Sequence, residues 1–368
     1  MHKRKLYIIT LEPIEQRYTK QWYETWEKKF SKWFNVQYID GDFVLTADGN
    51  VINTKKIEKG KFLDINYTNK WKATQVNMMS KLFINNEVKD DDVFLFMDGW
   101  HFGVIALKYM LDLNNIKAKM FAYWHAGTWD EHDFLTQKGL REWAKGFEES
   151  CFKVLNGSFV ATNYHNELIK DYFFPKMENY DNDEYIDYEN AFDNNVHVVG
   201  MPIDWMKEVK GKWRCYKGGY NIVVFPNRLD KEKQPEVFDK LSKQMPKYSF
   251  IKTMVHNRSK TRTEYYSLLS VAKVVFSSSL QETFGIAMVE ALMFNCIPIV
   301  PDKLSYSELY HPMFKYNDLK DAKNKIKFFV DCYKNKDVQL RLKENQQRII
   351  KQSNESWEKM AKIMLRTK

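Results

Sequence analysis

Cysteine is scarce in this chain. Cys151, Cys215, Cys296 and Cys332 stand far apart among 368 residues, form no C-x-x-C pair and have no histidine at zinc-ligand spacing. This argues against a disulfide scaffold or a zinc site, and reduced structural thiols are expected. Glycine and proline are few, at 14 and 9, while the hydrophobic fraction is 44% and the charged fraction 29%. Such a composition excludes disorder, collagen and coiled coil as the main class. A membrane-spanning run is also missing. The longest apolar stretch, Thr283 to Pro301, is broken by Glu290 and falls short of the roughly 20 uninterrupted apolar residues a span needs. The basic start, Met1 to Lys5, is followed by a strand-like run with no small-residue cleavage site, so no signal peptide is read. A cytoplasmic protein without integral membrane association is expected. No repeat of about 20 to 50 residues is present.

The net charge of +9 is unevenly spread. Residues 206–368 hold 32 Lys and Arg against 17 Asp and Glu, which leaves 25 against 31 for residues 1–205. The positive half is the one expected to meet an anion. Surplus surface lysines, as an AT-rich genome would favour, explain the same balance without a ligand.

A length of 368 residues exceeds what one hydrophobic core usually serves and implies two domains. Short apolar runs alternate with amphipathic stretches along the chain. Strands are predicted at Leu6 to Thr10, Val36 to Ile39, Val93 to Met97, Met120 to Trp124, Ser158 to Thr162 and Val196 to Val199, with helices such as Arg17 to Phe30 and Leu140 to Leu155 between them. A polar, glycine-bearing stretch, Lys210 to Gly219, reads as an interdomain linker. The alternation then restarts, with strands at Asn221 to Phe225, Tyr248 to Thr253, Lys273 to Ser277 and Cys296 to Val300, and a helical pattern runs from Asp337 to the end. The fold class expected is α/β, with two Rossmann-like doubly wound domains facing a cleft and a C-terminal helix crossing back. The boundaries are 1–205 for the first domain, 206–345 for the second and 346–368 for the returning helix. The acidic segment Glu178 to Asp193 reads as a solvated loop.

The segment richest in chemistry is Ser277 to Val300. A buried strand ends in three serines, Glu282 follows, Phe284 and Gly285 open a helix, and Glu290 lies on that helix. Amides at a helix start bind phosphate, glycine allows close approach, and a carboxylate less than two turns in can accept both hydroxyls of a ribose. This pattern resembles the E-x7-E signature of GT-B glycosyltransferases of the retaining family 4 type, with Glu282, Phe284, Gly285, Glu290, Ala291 and Pro298 in or near register and Asn295 in place of the usual glycine. Upstream, Phe225 to Lys233 is similar to the same family's G-R-L-x-x-x-K segment. Arg228 and Lys233 keep its spacing, and Asn227 replaces its glycine. An Arg fork and a Lys point charge at a strand end suit a diphosphate. The resemblance runs over about 80 residues.

The resemblance implies a nucleotide-sugar donor, most simply a UDP-sugar, held by Thr283, Phe284, Gly285, Ile286 and Glu290. Glu282 would meet the sugar hydroxyls, and Arg228 and Lys233 the diphosphate, with no metal and no further cofactor. In the first half, Tyr123 to Gly127 places His125 at a strand's carboxyl end, where it resembles the family histidine that faces the donor sugar; a structural histidine is the other reading. The family's glycine-rich loop after the first strand is absent. Its place is taken by Thr10 to Trp22, with Glu12, Arg17 and Tyr18, which resembles segments of phage-encoded glycosyltransferases that decorate hydroxymethylated DNA bases. Asp98 and His101, after another strand, are the remaining acceptor-side candidates, with loop packing as the alternative. Asp90 to Asp92 precedes its strand and reads as a turn, not as a metal-binding D-x-D.

The expected activity is transfer of a hexose or pentose, with retention, to a hydroxymethylpyrimidine in double-stranded DNA, in the host cytoplasm if the protein is phage-encoded. A cell-surface or lipid-linked glycan acceptor stays open, although no basic amphipathic helix of the membrane-docking kind is found. So do a nucleotide-sugar epimerase and a sugar-nucleotide-binding protein without catalysis.

Overall fold

The computed structural model describes residues 3–14, 17–42, 44–45, 51–52, 64–175, 190, 192–217, 220–253 and 261–367. Two compact units are present, Met1–Gly200 with Glu355–Lys368, and Met201–Asn354.

In the first unit the strands are β1 (Lys5–Ile9), β2 (Asn35–Ile39), β5 (Val93–Phe96), β6 (Lys119–Tyr123), β7 (Gly157–Val160) and β8 (Val196–Val198), and a short antiparallel ladder joins β3 (Val44–Leu45) to β4 (Val51–Ile52). The six long-range strands form a parallel sheet in the order β2-β1-β5-β6-β7-β8. Helices cover both faces of such a sheet, which is why its central strands read as continuous apolar runs rather than alternating ones. All four residues of β5 and β7 are buried. Strand order reverses between β1 and β5, and the loops leaving their carboxyl ends meet there. The helix Tyr18–Phe30 buries Thr19, Trp22, Trp26 and Phe30, spaced three and four apart on one stripe. Trp22 meets Tyr123 of β6 at 5.2 Å between ring centroids. The long helix Lys336–Arg366 ends in this unit, with Trp357 packed 5.7 Å from Trp26 and 5.4 Å from Phe30.

The helix Ile65–Ile84 escaped the sequence pattern. Its buried stripe is Trp71, Gln75, Met79 and Leu82, and Gln75 interrupts the apolar count. That amide donates to the carbonyls of Thr10 and Ile39, each at 2.8 Å, just where β1 and β2 end.

In the second unit β9 (Ile222–Phe225), β10 (Ser249–Lys252), β11 (Val274–Phe276), β12 (Ile297–Pro301) and β13 (Lys315–Tyr316) form a parallel sheet ordered β10-β9-β11-β12-β13. The reversal falls between β9 and β11. The fold is thus α/β with two doubly wound parallel sheets, as the alternation of elements implies.

The stretch Lys210 to Gly219 is mixed where it is described: Tyr216 is 62% exposed, while Lys217 is buried. The stretch starts in the helix Met206–Gly211, and Lys217 Nζ donates to the carbonyls of Leu269 and Ala272, both at 2.5 Å. Those carbonyls lie at the end of the helix Arg262–Val271, where a cation is favoured. Composition hid this, because a lysine among glycines reads as solvent-facing. Of the acidic segment, only residues 190, 192 and 193 lie among the described residues; Phe192 is buried in the core and Asp193 pairs with Lys170 at 2.7 Å.

Candidate active site

The three serines that end β11 are all buried, and they tie the strand-order reversal together. Ser277 Oγ accepts from Asn227 Nδ2 at 3.2 Å and lies 3.0 Å from both Ser279 Oγ and Tyr306 Oη. Asn227, standing where the family pattern has glycine, therefore joins the ends of β9 and β11. Ser278 Oγ donates to the carbonyls of Lys233 and Gln234 at 3.1 and 3.0 Å. This brings Lys233, itself 5% exposed, against the segment after β11. Its Nζ donates to the Gln281 carbonyl at 2.5 Å and to Glu282 Oε1 at 2.9 Å. Arg228 is more open and pairs with Asp230 at 2.9 Å and Glu232 at 3.2 Å.

Thr283 follows, half-buried, and Phe284 turns inward at 3% exposure. Gly285 adopts φ +78°, and a Cβ there would stand 2.8 Å from the Tyr306 ring. Glycine is required on both counts. Ile286 then starts the eight-residue helix Ile286–Met293, whose first amides have no partner within the helix. A buried ammonium and a half-buried guanidinium, each paired with carboxylates, stand beside a helix start at a strand-order reversal, the kind of end where backbone amides can meet an anion.

Glu290 on this helix is 4% exposed. Its Oε1 accepts from Arg262 Nη1 at 2.5 Å and lies 3.4 Å from Tyr266 Oη. Burial opposes the Arg262 cation, yet Glu290 and Tyr266 beside it raise its pKa overall. The sequence reading missed Arg262. The signal available was its position at the first residue of the helix after β10, at the carboxyl end of the sheet.

In the first unit, His125 follows β6. Its Nε2 donates to the Met97 carbonyl at 2.8 Å, which leaves Nδ1 to accept from Tyr18 Oη at 3.1 Å. Burial lowers its pKa, with Asp98 opposing, so the ring is neutral at pH 7. Asp98 Oδ1 accepts from the Trp100 amide at 3.2 Å and Oδ2 lies 3.9 Å from Lys72 Nζ. Glu12 accepts from Thr68 Oγ1 at 3.3 Å, and burial raises its pKa against Thr68 and Arg17. The Arg17 guanidinium lies 5.9 Å from the centre of the Tyr18 ring. Glu12, Arg17, Tyr18, Asp98 and His125 are thus set after the carboxyl ends of β1, β5 and β6. His101 follows β5 as well, three residues past Asp98, and is buried. It is 3% exposed, its Nδ1 accepts from the Gly103 amide at 2.8 Å, and its Nε2 lies 3.1 Å from Gln75 Oε1.

Two further residues here were not singled out from sequence. Lys72 Nζ donates to the Trp100 carbonyl at 2.5 Å. Glu148, fully buried, accepts from Trp100 Nε1 at 2.7 Å, from the Thr128 amide at 2.6 Å and from Thr128 Oγ1 at 2.5 Å. Asp90 and Asp92 accept from the amides of Lys117 and Lys89 and close the turn before β5. Among the described residues, no group of three or more His, Cys, Asp or Glu is placed to hold a metal ion, and no helix is long and apolar enough to cross a membrane.

No family model matches the chain. A tRNA-queuosine alpha-mannosyltransferase of Drosophila melanogaster is 43% identical over 56 residues, 15% of this chain and 15% of that protein. Among solved structures, a sucrose-phosphate synthase from Thermosynechococcus elongatus matches with a TM-score of 0.64 at 11% identity, over 98% of this chain and 97% of the other. An alpha,alpha-trehalose 6-phosphate synthase from Burkholderia multivorans matches at 0.61 and 10%, over 99% and 98%. S. aureus TarM, in complex with Fondaparinux, alpha-GlcNAc-glycerol and UDP, matches at 0.53 and 15%, over 79% of this chain and 59% of its own. At such identities the likeness is one of fold, and the fold is that of the GT-B glycosyltransferases. This chain spans 15% of the length of the curated relative and 59% of TarM.

Proposed function

We propose that the protein is a metal-independent, retaining glycosyltransferase that moves a sugar from a nucleoside-diphosphate sugar, a UDP-sugar first, to the hydroxyl of a hydroxymethylpyrimidine in DNA. The observation that carries the reading is the Lys233–Glu282 ion pair at 2.9 Å, set at the strand-order reversal just before the Gly285 turn and in register with Glu290. The GT-B fold and a UDP complex among the similar structures support the donor class. Lys233 and Arg228 would take the charge that develops on the departing diphosphate, the start of the helix Ile286–Met293 would add its amides, and Glu282 would orient the sugar. On the first unit, Asp98, Glu12, Arg17 and Tyr18 would serve the acceptor hydroxyl, and His125, held by the Met97 carbonyl and Tyr18, would face the sugar.

A second reading, an RNA acceptor, is favoured by the 56-residue match to an enzyme whose name places its sugar on tRNA queuosine. Mass spectrometry of nucleosides released from hydroxymethylated DNA, after incubation with the protein and a panel of sugar nucleotides, tests the proposal. A hydroxymethylated nucleoside heavier by one sugar is expected. Sugar found only on tRNA, glycan or lipid overturns the DNA acceptor, and conversion of the sugar nucleotide with no acceptor present overturns transfer altogether.

A further inference from the structure

The inference rests on the nucleic-acid reading above and concerns what lies beside Asp98. The helix Arg141–Val154 leads into β7, so its first turn stands at the carboxyl ends of the parallel strands, the end where Asp98 and His125 are found. Trp143 in that turn is 61% exposed. It meets Trp100 at 6.4 Å between ring centroids, tilted 69°. Trp100 is not free to move away. Its Nε1 is held by the buried Glu148 at 2.7 Å, its amide by Asp98 and its carbonyl by Lys72. A second cationic and aromatic group flanks the same turn, because the Arg141 guanidinium and the Lys145 ammonium lie 5.1 and 5.0 Å from the centre of the Tyr172 ring.

A single exposed aromatic needs no explanation. Here the exposed indole of Trp143 is backed by a locked one, Trp100, which stands two residues from Asp98, and Arg141 and Lys145 lie within two residues of Trp143 on its own helix, with Glu142 between. Flat rings next to fixed positive charge are what a polynucleotide recognises: bases stack on the ring faces and phosphates meet the cations. A neutral glycan would use the rings but not the cations. We propose that Trp143, backed by Trp100, stacks a base of the acceptor strand next to the target nucleotide, with Arg141 and Lys145 on the flanking phosphates.

The full-length protein is titrated into a fluorescent hydroxymethylated DNA oligonucleotide, and its transfer kinetics are measured with the same oligonucleotide and a UDP-sugar. Trp143→Ala is expected to raise Kd and the acceptor KM on the order of tenfold. Trp143→Phe should keep most of the affinity, and the KM for the UDP-sugar should not change. Replacing Arg141 and Lys145 together by alanine should flatten the dependence of log Kd on log salt by about 1.8, two phosphates' worth. If the wild type binds and glycosylates the oligonucleotide and Trp143→Ala does so equally well, the stacking role is overturned while the proposed function stands. If the wild type neither binds nor modifies DNA, the DNA acceptor falls and this inference with it.

Discussion

A carboxylate buried in an apolar helix must find a cation or give up its charge, and Glu290 finds Arg262. The pair changes what a truncation should do. Glu290→Ala would leave a guanidinium only 14% exposed without its carboxylate, with Tyr266 Oη still 3.2 Å from it, and stability should fall by about 3 kcal/mol along with donor affinity. Glu290→Gln keeps an acceptor for Arg262 and should lose less stability while still binding UDP more weakly. Urea denaturation and calorimetric titration of both variants check this, and an unchanged midpoint for Glu290→Ala would remove the pair from the stability account. A second residue, His165, is fully buried beside Trp129, and neither ring nitrogen has a hydrogen-bond partner among the described residues. Burial lowers its pKa to about 3. The unfolded chain takes up a proton below about pH 6.5 while the folded one stays neutral, so stability is full above that pH and declines as pH falls toward 3. About 2 kcal/mol should be lost by pH 5 on this account. His165→Leu should be less sensitive to acid between pH 7 and 5; an identical acid profile for both proteins would refute the account. Asn295, where the family pattern has glycine, takes φ +62°. Asparagine is among the non-glycine residues most tolerant of that region, so the departure keeps the backbone course.

At the scale of elements, periodicity along the chain was a good guide wherever a stripe was wholly apolar. The predicted helix over Arg17 to Phe30 is observed as Tyr18–Phe30, and the strand predicted over Cys296 to Val300 as Ile297–Pro301. It failed where a polar side chain held a structural place. Gln75 spoiled the stripe of Ile65–Ile84, and the buried Lys217 caps the helix Arg262–Val271 from within a polar, glycine-bearing stretch. The end of the helix Lys336–Arg366 shows a third case. Its pattern is legible, but the partner of Trp357 is not, since Trp26 and Phe30 lie over 300 residues away. Trp357→Ala should cost about 3 to 5 kcal/mol, because a large ring 3% exposed is removed from among aromatic neighbours. Denaturant titration followed by circular dichroism measures the loss. A change below about 1 kcal/mol would mean that the site collapses onto the space left behind.

For the whole molecule the charge balance makes a prediction of its own. If the +15 of residues 206–368, 32 cations against 17 anions, serves a nucleic acid, then binding to duplex DNA should weaken with salt at a log-log slope near about −0.9 per phosphate neutralised. Unmodified and hydroxymethylated duplexes should weaken in parallel, while sugar transfer occurs only on the hydroxymethylated one. Fluorescence anisotropy across a salt series checks the first part, and salt-independent binding would reassign the positive charge to ordinary surface lysine. The sequence by itself determined the α/β alternation and the register of Glu282, Gly285 and Glu290, because helix and strand periods and a strand-turn-helix spacing are local properties. Only the tertiary structure decided the pairings. Lys233 meets Glu282 across 49 residues and Arg262 meets Glu290 across 28. His101 is taken up inside while His125 stands at the strand ends with Tyr18. These contacts follow from strand order, and strand order brings together residues whose distance along the chain carries no information about their distance in space.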